Sequence, residues 1–380
     1  MKIPSIAVCP SPPTRRRPKL GATLLALTHS PTEGHPATRS SRAAAGAGGK
    51  GVVFPSDVDS VLSGSADDDG RDADAFSGKL SADSISMSED VRDYVFENSR
   101  RYHKYNEGRY PFPNDDAEQE REDLQHAMVM LLCDGKLHYA PLQNPQSVLD
   151  IGTGTGIWAI DMGDEYPAAE ILGIDLSPIQ PIWVPRNVQF LVDNVEEEWV
   201  QPPNSLDYIH ARQMAPTIRD WPTIFAEAYK ALKPGGWIEM QDLECAVKCD
   251  DDTMRDDDIC ASYTQTLAEA LRRLNIDCIH SVRNYARWLR EAGFVNVQQK
   301  TWQVPLGTWP KDARQAKVGM YCRNMIYDGL HGFSIKPFTH GLGWTPEEVE
   351  VYLVDIRKAI LHSSAHIYLP FHSVYAMKPL

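Results

Sequence analysis

The chain has 380 residues, with 38 Lys and Arg against 52 Asp and Glu and a formal net charge of -14 at pH 7. That balance argues against a general electrostatic hold on nucleic acid or on an anionic membrane, and no apolar run approaches the roughly 18–20 residues that cross a bilayer. The 7 cysteines are scattered without a C-x-x-C pair, so neither a disulfide framework nor a metal site is indicated and a reducing compartment is the default.

In chain order, residues 1–90 read as a disordered tail. The first fifty residues are rich in Pro, Ser, Ala and Gly, carry Arg15-Arg16-Arg17, and have Glu33 as their only acid. Residues 52–90 are Ser-rich and acidic, with Asp67-Asp68-Asp69. The basic start is compatible with a transit peptide, with part of a nuclear import signal, or with a solvated tail carrying no address. The expected location is cytoplasmic or nuclear, with organelle targeting open. Residues 91–145 are expected to form a helical cap. Ser88 caps a helix that starts at Glu89-Asp90-Val91. Residues 97–105 mix polar, aromatic and cationic side chains, and Pro111 and Pro113 break the chain. Asn114-Asp115-Asp116 then caps a helix with Leu124, Met128, Leu131 and Leu132 at helical spacing.

Residues 146–245 alternate between strand and helix. Strands are expected over 148–151, 170–175, 188–193, 205–210 and 237–240, and helices over 157–165 and 221–232, the second stopped by Lys233-Pro234-Gly235-Gly236. Crossover connections of this kind make a parallel, doubly wound α/β sheet, in which ligands collect at the carboxyl ends of the strands. Asp150, Asp175, Asp193 and His210 all fall at such ends. Residues 246–380 complete the domain. Helices are expected over 262–274 and 282–291, strand segments over 294–298 and 301–305, and a helix from Thr345-Pro346-Glu347-Glu348 to about residue 362. Closing strand material follows at 367–369 and 374–377, and residues 320–343 are expected to cover the site as a substrate lid. The aspartate runs at 250–252 and 256–258 lack the glycine and terminal Glu of a calcium loop.

The most informative stretch is Val148-Leu149-Asp150-Ile151-Gly152-Thr153-Gly154-Thr155-Gly156-Ile157-Trp158. It runs from an apolar strand through glycines at alternate positions into a helix. Each glycine can take positive φ or admit a ligand against the backbone, and the free N–H groups at the helix start suit an anionic group. The pattern D-x-G-x-G-x-G is one residue tighter than the dinucleotide fingerprint. Asp175, with Leu176 beside it, lies about twenty residues further on, where a carboxylate can accept both hydroxyls of a ribose. At the next strand end, Asp193 or Asn194 can bond an adenine amino group while Val195 covers the ring face.

The glycine turn resembles the first motif of the class I S-adenosylmethionine-dependent methyltransferases. In that family the turn, here Gly152, Thr153, Gly154 and Gly156, packs against the methionine part and sugar of the cofactor, and the leading acid, here Asp150, lies near its amino group. Residues 94–380 further resemble the largely fungal LaeA-like methyltransferases. That resemblance rests on Glu97-Asn98-Ser99-Arg100-Arg101-Tyr102-His103, the glycine turn, Asp175-Leu176-Ser177-Pro178-Ile179-Gln180-Pro181, Ile209-His210-Ala211-Arg212, Leu232-Lys233-Pro234-Gly235-Gly236-Trp237, Ala292-Gly293-Phe294 and Pro305-Leu306-Gly307-Thr308-Trp309-Pro310. Ser99 stands where the group usually has glycine. The resemblance implies a Rossmann-like class I sheet with N-terminal helices and a C-terminal extension, and S-adenosylmethionine as methyl donor.

Methyl transfer from a sulfonium is an in-line displacement in which positioning of the nucleophile contributes roughly 7–11 kcal/mol, with a base needed only where the acceptor loses a proton. His210 is the candidate for that base or for substrate orientation; the alternative is a structural histidine. Arg212 and Gln213 are secondary candidates. Arg101, Tyr102 and His103 are candidates to fold over the cofactor, and His366 and Tyr368 to line the acceptor pocket. Three functions follow: a methyltransferase acting on a small molecule of secondary metabolism, a LaeA-type nuclear regulator acting through protein partners, and an NAD-dependent oxidoreductase, against which the tight glycine spacing counts.

Overall fold

The computed structural model describes residues 94–106 and 108–380; the tail and the helix start at Ser88 lie outside the described residues. Tyr94–Glu97 (β1) and Arg100–His103 (β2) form an antiparallel hairpin. Its turn residues Asn98 and Ser99 both have positive φ, 49° and 61°, as a two-residue hairpin turn requires. The cap expected to be helical is therefore a hairpin followed by one helix. The strand-favouring Tyr94-Val95-Phe96 and an asparagine turn win over the helical reading. Ser99 occupies a backbone conformation that glycine adopts without strain.

Asp116–Leu132 (α1) follows, its first turn capped by the Asp115 carboxylate, which accepts the Glu118 N–H. The core then runs Ser147–Ile151 (β3), Ile157–Glu165 (α2), Glu170–Asp175 (β4), Val188–Val192 (β5), Leu206–Arg212 (β6), Trp221–Ala231 (α3) and Leu232–Leu243 (β7). The links from β4 to β5 and from β5 to β6 carry no helix; in the first, Pro178, Pro181 and Pro185 remove the donors and torsions a helix needs. Ile259–Arg273 (α4), Cys278–Glu291 (α5), Val295–Pro305 (β8), Ala313–Lys336 (α6), Pro346–His362 (α7) and Tyr368–Met377 (β9) complete the chain.

Seven strands form one sheet in the order β5-β4-β3-β6-β7-β9-β8. The first five are parallel and β9 is antiparallel to both its neighbours. The strand order reverses at β3, which puts a crevice at its carboxyl end. The two segments expected over 294–305 are one strand, as are those over 367–377, because β8 and β9 pair along most of their lengths. The region expected to be a lid is α6 and a π-helical turn, Pro337–Leu342, and α6 packs along α1. Helix α7 begins at the expected Thr345 cap, which forms a capping box with Glu348.

Three cores divide the apolar residues. One joins the sheet to α3 and α5 through Ile209, Phe225, Ile238 and Tyr285. A second joins the opposite face to α2 through Val148, Trp158, Met162 and Tyr208. The third ties α1, α4, α6 and α7 into a helical layer through Met128, Leu271, Cys322 and Leu353. No helix among the described residues is long and apolar enough to cross a membrane.

Candidate functional site

Between the carboxyl ends of the strands and the helical layer lies a cavity of about 260 Å³. It is lined by Asp150, Gly152, Thr153, Gly154, Asp175, Leu176, Asp193, Asn194, Val195 and His210. Ten of the residues singled out from sequence thus meet at one place although they come from four strand ends.

The glycine turn is held by its own geometry. Gly152, Gly154 and Gly156 have φ of 67°, 55° and 78°, the left-handed region that strains other residues. A Cβ on Gly156 would lie 2.4 Å from the Phe190 ring. Gly156 is the cap of α2 and stands behind the turn, packed on β5, so it shapes the cavity without lining it. The Asp175 carboxylate accepts the N–H of Gly154 and the N–H of Ser177, both at 2.9 Å. Burial pushes its acid up to about 6, against the lowering effect of these backbone donors. The residue also lines the cavity. At the end of β5 the Asn194 N–H donates to its neighbour Asp193 at 2.8 Å, and the Asn194 amide is tied to Glu197 and to the Glu196 N–H. Burial raises the Asp193 acid as well. The donor set at this end suits a nucleoside: a carboxylate for a diol, polar edges for an exocyclic amine, and Val195 for a ring face.

Asp150 is engaged on both oxygens. Thr153 Oγ1 donates to Oδ2 at 2.6 Å and His210 Nδ1 to Oδ1 at 2.7 Å. Parallel pairing of β3 with β6 puts Asp150 and His210 directly opposite each other. The imidazole is fully buried and stacks on Trp158, with ring centroids 3.7 Å apart and planes 7° from parallel. Its Nε2 has no hydrogen-bond partner. A carboxylate holding Nδ1–H leaves Nε2 with a lone pair, and this is the arrangement that orients a general base.

The α1 face was not anticipated from sequence. Glu118, Arg121, Glu122, Gln125 and His126 line the cavity opposite the glycine turn. Arg121 donates to Glu118 at 2.7 Å and to Gln125 at 2.8 Å. Glu122 lies against Gly154, its Oε2 has no partner, and burial raises its acid to about 8. These residues recur at helical spacing, which is the signal that was present, but polar side chains at that spacing read equally well as a solvated face. Beyond Arg212 and Gln213 the lining turns largely apolar, through Leu243, Val247, Leu267, Leu271, Met325 and Ile360, with Glu244, Tyr263 and Thr264 as its polar members.

Five expectations land elsewhere; one is His103, which is buried with its Nδ1 on the Tyr105 carbonyl. Tyr102 does not line the cavity; it is buried under the hairpin with Lys336 Nζ 4.4 Å above its ring. Arg101 donates to the Asn114 carbonyl and its guanidinium sits over Tyr94. His366 bonds Asp251 and stacks on Trp309, and Tyr368 donates to Asp250. The hairpin turns Tyr102 inward between β2 and α6, and the Asp250–Thr253 loop draws off the other two. Among the described residues no group of His, Cys, Asp and Glu could hold a metal ion.

A family profile described as a methyltransferase domain matches residues 124–299. The chain is similar to methyltransferase pytC of Aspergillus terreus, 40% identical over 81% of this chain and 95% of the relative. It is 34% identical to the secondary metabolism regulator LAE1 of Cochliobolus heterostrophus, over 74% of this chain and 94% of that one. It is 30% identical to the protein-methionine methyltransferase laeA of Emericella nidulans, over 75% and 76%.

Proposed function

The chain belongs to the LaeA-like family and is an S-adenosylmethionine-dependent methyltransferase with a class I fold; from that premise we propose that its methyl acceptor is a small, largely apolar molecule. The observation that carries this is the continuity of one cavity, suited to a nucleoside at the glycine turn and apolar at the far end. An enclosed apolar end desolvates a small molecule well and leaves little room for a protein surface.

In this reading Asp175 accepts the ribose hydroxyls, Asp193 and Asn194 meet the adenine edge, Val195 and Leu176 cover its faces, and the backbone of Gly152, Thr153 and Gly154 lies along the amino-acid part. Asp150 shapes this end through Thr153 and His210. When bound, the cofactor supplies a methyl group already activated on a sulfonium. What remains for the chain is to hold an acceptor hydroxyl or amine in line and to take its proton. His210 Nε2 receives that proton, and Asp150 steadies the imidazolium that forms.

The test is label transfer. The chain is incubated with methyl-labelled S-adenosylmethionine and, separately, with the small apolar metabolites and the proteins of one fungal extract. Label is expected in the small-molecule fraction and is expected to fall about 10²–10⁴-fold in a His210→Gln variant that still binds S-adenosylhomocysteine. Label confined to the protein fraction would overturn this reading in favour of a protein acceptor.

A further inference from the structure

Three arginines line the cavity, Arg109, Arg121 and Arg212. Arg121 contacts Glu118 at 2.7 Å and Arg109 reaches Glu196 at 3.7 Å. Arg212 contacts no carboxylate among the described residues. Its Nη2–H donates to His126 Nδ1 at 2.8 Å. A guanidinium only donates, so that nitrogen of His126 carries a lone pair and the ring is neutral. The His126 proton is then on Nε2, facing Asp161 Oδ2 at 3.1 Å. Burial and the Arg212 charge both favour the neutral ring. Asp161 is thereby joined to Arg212 through an uncharged imidazole and does not cancel the guanidinium by contact.

An enclosed cation without a contacting anion is costly. Burial pulls the Arg212 guanidinium below its ordinary value, opposed by attraction from Asp150, Cys133, Asp161 and Glu122. Its remaining nitrogens have no protein acceptor among the described residues, and the side chain lines the cavity. Arg212 is also two residues after His210 on one strand, so the two side chains share a face. Across the sheet, β7 carries Gln241 opposite Arg212 and continues to Leu243, where the apolar lining starts.

We propose that Arg212 is an anion-binding group of the acceptor site, holding a carboxylate or enolate oxygen of the methyl acceptor while the apolar remainder lies among Leu243, Leu267, Met325 and Ile360. This rests on the small-acceptor reading above and narrows it to an apolar acid or enol. A guanidinium pairs with such an anion through two parallel N–H bonds. It sets the anion beside His210, the candidate proton acceptor, so an enolic hydroxyl that loses its proton to Nε2 becomes the oxyanion that Arg212 stabilises. The cofactor's own carboxylate is the same chemistry from a second source, and the experiment separates the two.

Octanoate and octanamide serve as charged and neutral probes, titrated calorimetrically into the full chain saturated with S-adenosylhomocysteine. Octanoate is expected to bind at least about tenfold tighter than octanamide, a 1.4 kcal/mol difference. The preference is expected to vanish in Arg212→Met and to survive in part in Arg212→Lys, with octanamide unaffected. Affinity for S-adenosylhomocysteine is expected to stay within about threefold of the parent, which also reports that the variants fold. A tenfold or larger loss of S-adenosylhomocysteine affinity in Arg212→Met, without loss of 5′-methylthioadenosine, would assign Arg212 to the cofactor carboxylate and overturn the proposal. Equal binding of the two probes to the parent would overturn the anion site and leave the small-acceptor reading standing. Binding of neither would overturn both.

Discussion

Asp175→Asn is the most direct test of how the nucleoside end works. The carboxylate accepts two backbone N–H groups at 2.9 Å, from Gly154 and Ser177, and in the proposed complex it also accepts two ribose hydroxyls. Asparagine keeps the shape but has one acceptor oxygen, so its amide faces either a backbone N–H or a hydroxyl donor. Hydrogen bonds to a charged acceptor contribute about 1.5–3 kcal/mol each. Losing two therefore removes about 3–6 kcal/mol, or roughly 10²–10⁴ in affinity at 1.4 kcal/mol per tenfold. Asparagine retains one weaker bond, so the lower end, about a hundredfold, is expected. The assay is calorimetric titration with S-adenosylhomocysteine beside a thermal melt. The parent carries its own control in pH. Ligand hydroxyls prefer the ionised form of Asp175, whose acid sits at about 6. The parent's affinity should therefore fall as pH drops through 6, while the variant's should change little in that window. A folded Asp175→Asn protein that binds within about threefold of the parent would refute the ribose role.

Two further outcomes follow from buried geometry. Burial raises Glu122 to about 8, so between its unfolded value and 8 the folded chain binds more protons than the unfolded chain, and stability falls as pH rises across that range. Glu122→Gln removes this dependence. The variant should gain on the parent in urea melts from pH 5 to pH 8, and parallel pH profiles would refute the assignment. Gly156→Ala places a Cβ at φ 78° and 2.4 Å from the Phe190 ring. It should lose at least about 1–2 kcal/mol from the left-handed backbone alone, measured by denaturant unfolding, and an equally stable variant would contradict the packing described.

The glycine turn and the strand-end acids were legible in the sequence because local patterns encode them. Only glycine takes the three positive φ values cheaply, and apolar runs ending in acids mark parallel strands with polar carboxyl ends. The hairpin over 94–103 was missed because the helix start expected at Ser88-Glu89-Asp90 was carried forward into a helical cap. Tyr102 looked available to the cofactor, yet the hairpin turns its ring against Lys336. The polar face of α1 was invisible for a different reason. Glu118, Arg121, Glu122 and Gln125 have the spacing of a solvated stripe, and only the packing of α1 along α6 encloses them.

The sequence by itself determined the doubly wound class, the glycine turn, the acids Asp150, Asp175 and Asp193, and His210 as a candidate, since each depends on neighbours within a few residues or on strand periodicity. Only the tertiary structure decided that Asp150 and His210 form a hydrogen-bonded pair stacked on Trp158, and that Arg212 meets a neutral His126 and no acid. It alone joined an apolar chamber from α4, α6 and α7 to the nucleoside end. Those facts arise where residues far apart in the chain share one cavity, because burial and hydrogen-bond pairing there are set by the packing of whole elements and not by local propensity.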